Sequence, residues 1–112
     1  MTTLDRNTLN RKAPAHVIMA YVFNGDGIGA PGRIILQMKD IGVINHPLDR
    51  EYVVHWQNRQ DGGCCHGGYH TKLADAMADF AERCQKEQRY ADNRGDIPHL
   101  ETYDSLAMVT TA

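Results

Sequence analysis

The sequence predicts an α+β fold: a mainly antiparallel sheet of about four strands, one long amphipathic helix packed on one face, and a short C-terminal helix. Three observations carry this. Two breaker-free runs rich in β-branched and aromatic residues, HVIMAYVF (16–23) and EYVVHWQNR (51–59), have the length of strands. Glycine-rich segments follow each run and suit hairpins. The stretch after Thr71 carries apolar residues at helical rather than alternating spacing. A chain of 112 residues fits one domain and is too short for a (β/α)₈ barrel. With 42% hydrophobic and 23% charged residues, it belongs with globular rather than disordered chains.

Taken in order, residues 1–15 are polar and aperiodic and read as a mobile or loosely docked arm before a single domain at 16–112. His16–Phe23 is a buried strand. Asn24–Gly32 is a loop of glycines with Pro31. Arg33–Lys39 fits both a strand and a helix; its short length and β-branching favour a strand that pairs with the first as a hairpin. Asp40–Arg50 is a connection interrupted by Pro47. In Glu51–Arg59, Tyr52, Val54 and Trp56 alternate with Val53, His55 and Gln57. Asp61-Gly62-Gly63 marks a hairpin turn, and Cys64–His70 is the returning strand, whose glycines weaken it and suggest a close approach or a bulge.

Thr71 is a suitable N-cap for the long helix, with Leu73, Ala74, Met77, Phe80, Ala81 and Cys84 as the apolar stripe. Asp79 with Arg83, and Glu82 with Lys86, are favourable i,i+4 pairs. The helix is expected to fray near Tyr90, with a turn around Gly95. Pro98 then opens the short last helix, with Leu100, Tyr103 and Ala107 on one face.

The net charge of -2 argues against a strong non-specific nucleic-acid binder and against an acidic DNA mimic. Basic residues prevail in 1–60 and acidic ones in 61–112, a mild dipole. No apolar run reaches the length of a membrane span. Arg11-Lys12 before the first apolar run prompts a signal-peptide reading, but the run leads into Asn24-Gly25-Asp26-Gly27, not a small-residue cleavage site. Three cysteines, two of them adjacent, make a poor disulfide framework, and a cytoplasmic location follows as the expectation.

Gly27-Ile28-Gly29-Ala30-Pro31-Gly32 matches G-x-G-x-x-G after a strand, and Asp49 stands about where a ribose-binding acid would. Pro31 inside the motif, a strand after Gly32 and the short chain oppose a dinucleotide site, so no cofactor is expected. Gly29–Gly32 also fits the GXXG of KH domains, but that loop joins two helices. Arg94-Gly95-Asp96 matches the integrin-ligand tripeptide and is more simply a turn.

If Arg59 opposes Cys64, hairpin parity places Tyr52, Val54, Trp56, Cys65, Gly67 and Tyr69 on the helix side. Val53, His55, Gln57, Cys64, His66, Gly68 and His70 fall on the other. That second face gathers three imidazoles and a thiol, a donor set zinc accepts. No paired-cysteine knuckle closes a tetrahedron, so no metal is expected. Cys64 or Cys65 beside His55 or His66 could form a thiolate–imidazole pair, but no oxyanion hole is evident and no catalytic residue is assigned. Cys84 sits on the helix stripe as a core residue. Tyr52, Trp56 and Tyr69 could stack bases, yet basic residues are sparse around them, so direct nucleic-acid binding is not expected.

The stretch VVHWQNRQDGGCCHGGYHTKLADAMADFAERC, with Phe80-Ala81-Glu82-Arg83 near its end, resembles small phage- and plasmid-encoded accessory proteins in its layout. Anti-CRISPR proteins and other inhibitors of host defence are among these. The resemblance implies a small non-catalytic protein that binds a protein or ribonucleoprotein complex. The residues expected to meet that partner are His55, Gln57, Cys64, His66 and His70 on the sheet, with Asp75, Asp79 and Glu82 on the helix. The alternative is a metal-binding or regulatory domain that uses the His/Cys face.

Overall fold

The computed structural model describes residues 3–13, 16–25, 31–40 and 50–103. Helix α1 (Arg6–Lys12) precedes four strands: β1 (His16–Phe23), β2 (Gly32–Asp40), β3 (Arg50–Asn58) and β4 (Cys64–His70). Helix α2 (Leu73–Arg94) and strand β5 (His99–Thr102) follow. All pairings are antiparallel, in the order β4-β3-β2-β1-β5. The α+β class and the long helix are as the sequence predicts.

The ambiguous segment after Gly32 is a strand, because it lies between β1 and β3 and both its edges are bonded. Ile34, Leu36 and Met38 point to the helix side, where they meet Phe23, Tyr52, Val54, Ala76 and Phe80 in one apolar cluster. Trp56, Leu73 and Cys84 pack against it. A bulge between Val17 and Met19 lets Ile18 join the same cluster. Helix α2 rests on β2, β3 and β4.

Several expectations are corrected. The polar arm contains α1, capped by Asp5, whose side chain accepts a hydrogen bond from Thr8 N–H, and Leu9 is buried. A seven-residue helix with a single leucine gives no period to read in the sequence. Thr71 is not the N-cap of α2; Lys72 is, without a side-chain bond. The buried stripe runs through Ala76, Phe80 and Ala91, while Ala74, Met77 and Ala81 are exposed. The helix therefore runs on to Arg94, held by Ala91, and stops where Gly95 adopts φ 74. The short last helix is replaced by β5, which pairs with β1. Residues 41–49, with Pro47 and Asp49, and Ala107 lie outside the described residues, as does most of the glycine loop.

Candidate functional site

The β3–β4 hairpin decides which side chains share a face. Its turn is closed by Asn58 N–H donating to Gly63 O at 2.8 Å and Gly62 N–H donating to Asn58 O at 2.8 Å. Gly62 takes φ 80, a conformation suited to glycine. Cys64 pairs with Gln57 rather than Arg59. This slip is two residues, so the expected parity survives near the turn. Cys65 stands with Trp56 on the helix side, and Cys64 with Gln57 on the other.

The parity then breaks. The register shifts between Val54 and Trp56, and opposite the shift His66 adopts φ 58. A bulge of one residue turns every later side chain over. His70 now stands with Tyr52 on the helix side, and Tyr69 with Val53 on the far side. Tyr69, expected in the core, is 61% exposed. The single His/Cys face of the sequence reading does not exist. His55, Gln57 and Cys64 lie on the far side, and His70 lies under α2. Among the described residues, no group of three or more His, Cys, Asp or Glu side chains could hold a metal ion.

His70 instead ties the sheet to the helix. Its Nε2 donates to Asp79 Oδ2 at 2.8 Å, and Arg83 Nε donates to Asp79 Oδ1 at 2.8 Å. Arg83 also donates to the His66 carbonyl at 2.6 Å. Burial pushes the Asp79 carboxyl upward, but the bonds from His70 and Arg83 outweigh it and hold it below the usual carboxylate range. A side chain at Gly68 would collide with Asp79, so this close approach requires glycine. Asp79, expected to face a partner, is thus a structural link. Asp75 is exposed, and Glu82 is an exposed carboxylate 3.7 Å from Lys86.

Beside this link, α2 and the turn end of the sheet enclose an open cleft of about 490 Å³. Ile34 and Trp56 line it from the sheet, Cys65 and His66 from β4, and Arg83, Lys86, Glu87 and Tyr90 from the helix. Tyr90 is largely exposed. The helical residues recur at positions 83, 86, 87 and 90, the spacing of one helix face. That spacing is present in the sequence, but three of the four residues are polar or charged, so it reads as an outer, solvated face rather than the wall of a cleft. All three cysteines are free. Burial pushes the Cys84 thiol up to about 12, which suits its place beside the core. Among the described residues, no thiol is hydrogen-bonded to an imidazole.

The Arg94-Gly95-Asp96 tripeptide is folded in on itself. Arg94 contacts Glu87 and Asp96 at 2.8 and 2.9 Å and lies over the Phe23 ring. Asp96 accepts a bond from Asn24 N–H at 2.9 Å, which fastens the helix end to the end of β1.

Fold and cleft together define the class: a small α+β protein with an apolar groove between its helix and sheet. No family model, no curated protein and no solved structure matches the chain. No described helix is long and apolar enough to cross a membrane.

Proposed function

We propose that the protein is a non-catalytic binding module that docks a partner protein in the cleft between α2 and the β3–β4 end of the sheet. The observation that carries this reading is the cleft itself. It is open, floored by Trp56 and Ile34, walled by the exposed ring of Tyr90, and edged by the charges of Arg83, Lys86 and Glu87. An aromatic floor inside a charged rim is the anatomy of a site for an anchor side chain. Of the residues first expected to meet a partner, His66 lines this cleft and Glu82 lies near its rim through Lys86. His55 and Gln57 are buried on the other side and Asp79 is committed to its link, so none of these three belongs to the docking surface. The layout resemblance supports a more specific form of this reading, a cytoplasmic mobile-element inhibitor of a host defence complex.

Affinity capture from the native host tests it with two baits, the wild type and the double variant Lys86→Glu, Tyr90→Ala. Both substitutions change exposed side chains and should leave the melting temperature within the range of surface changes. The expected result is a stoichiometric partner retained by the wild type and lost by the variant. A partner held equally by both baits removes the cleft from the interface.

A further inference from the structure

The far side of the sheet holds a second cavity that owes nothing to the cleft. It measures about 300 Å³ and lies between α1, the strand residues Val22 and Arg33, Arg59 and Glu101. Three arginines line it: Arg6, Arg33 and Arg59. Arg33 is 1% exposed, and among the described residues its three hydrogen bonds all go to neutral oxygens. Nε donates to Gln57 Oε1 at 2.7 Å, one terminal nitrogen to the Tyr103 hydroxyl at 2.8 Å, and the other to Asn10 Oδ1 at 2.9 Å. A guanidinium has five N–H donors, so two are left over. Burying a charge without an opposite charge beside it is costly, and buried arginines are ordinarily paired.

The two carboxylates that also line the cavity are already engaged. Asp5 accepts from Thr8 N–H at 2.7 Å. Glu101 accepts from the Tyr103 hydroxyl at 2.9 Å and lies 3.1 Å from His99 Nε2. Among the described residues, none of the three arginines forms an ion pair. Arg59 makes one long side-chain bond, 3.4 Å to the Phe23 carbonyl, and Arg6 rests over the Tyr103 ring. Three arginines against two engaged carboxylates thus line one space.

We propose that this cavity binds a phosphate-type oxyanion, with Arg33 as its fixed inner wall and Arg6 and Arg59 as the donors at its mouth. Planar guanidinium forks match the oxygens of such a group, which balances the excess of three arginines over two carboxylates; Glu101 reaches Arg33 only through the Tyr103 hydroxyl and leaves no direct ion pair there. The group can come as inorganic phosphate or as the phosphomonoester of a small molecule.

The full chain, labelled with ¹⁵N, is titrated first with inorganic phosphate and then with phenyl phosphate, with ionic strength held constant by sodium chloride. Saturable shifts of the Arg6 and Arg59 side-chain resonances are expected, and both Arg6→Gln and Arg59→Gln should weaken binding by about tenfold. Arg11→Gln, on α1 but outside the cavity, should not. Using two cavity variants guards against one of them failing to fold. Tighter binding of phenyl phosphate identifies an organic phosphomonoester as the ligand, and equal or weaker binding identifies the free ion. No saturable shift, the same shifts with chloride alone, or equal weakening by Arg11→Gln overturns the proposal.

Discussion

The two faces of the sheet are both buried, but by opposite means. The face under α2 is filled with Ile34, Leu36, Val54, Phe80 and their neighbours, which need nothing but contact. The other face has a small apolar cluster of Ala13, Ala20, Val22 and Ile35. Around it lie fully or nearly buried polar groups: Arg33, Gln37, His55 and Gln57. Gln57 is satisfied, donating to the Leu9 and Gly62 carbonyls at 3.1 and 3.0 Å while accepting from Arg33. Gln37 is not: among the described residues neither its amide nitrogen nor its oxygen has a hydrogen-bond partner. The first face is held by apolar burial. The second depends on whether each polar atom finds a partner, and it holds α1 through just such bonds.

The largest effect that would test this contrast is on the apolar face. Phe80→Ala should lower stability by about 3–5 kcal/mol in urea unfolding, the usual cost of emptying a buried aromatic site. An unchanged midpoint would show that α2 does not close the core. On the polar face, a smaller change of opposite sign is expected. Gln37→Met removes two unsatisfied buried atoms at similar volume and should raise stability by about 1 kcal/mol. A destabilised variant would mean that the Gln37 amide is satisfied in solution.

The smallest effect depends on pH. Burial, helped by the charges of Arg83 and Lys39, holds the His55 imidazole below its ordinary value of 6.5. Its Nε2 is buried, with no hydrogen-bond partner among the described residues. A base with a lowered folded value favours the folded state fully above the unfolded value. That contribution is lost as pH falls from 6.5 toward the folded value, because the unfolded chain takes up the proton first. Wild-type stability should therefore fall between pH 7 and 5, by no more than about 1.4 kcal/mol per pH unit from this group. His55→Leu should flatten that part of the profile, and an unaltered slope would assign the dependence to another group.

The contrast also explains what could be read in the sequence. Apolar, β-branched runs announce β1 and β3, and helical spacing announces α2, because a hydrophobic side chain in a regular element has one good place to go. Arg33 and Gln57 alternate just as regularly, but alternation alone does not distinguish a buried polar face from an open one. Nothing local says that Asn10, Tyr103 and Leu9 come from far along the chain to meet them. The hairpin parity was right beside the turn, where loop length sets it. It fails beyond His66: Gly67 and Gly68 signal a close approach or a bulge, but not its position, and the bulge at His66 breaks up the grouping of His55, His66 and His70. The cleft is half legible: hairpin parity puts Trp56 and Cys65 on one face, while Arg83 and Lys86 read only as members of outer i,i+4 pairs, and nothing local shows that they and Tyr90 overhang Trp56.

Strand β5 has an effect on the order in which the molecule can assemble. It bonds to β1 with a register that joins Ala20 to Glu101 and Val22 to His99. Until residues 99–102 emerge, β1 is a border strand with its outer row of amides and carbonyls open, although β2, β3 and β4 are already in hand. Contacts this remote in sequence slow folding, since the intervening chain must first be brought together. The nascent protein therefore passes through an interval in which Met19 to Val22 offers an unfilled seam to any passing strand, its own copy included. A four-residue strand, one of the shortest elements here, ends that exposure.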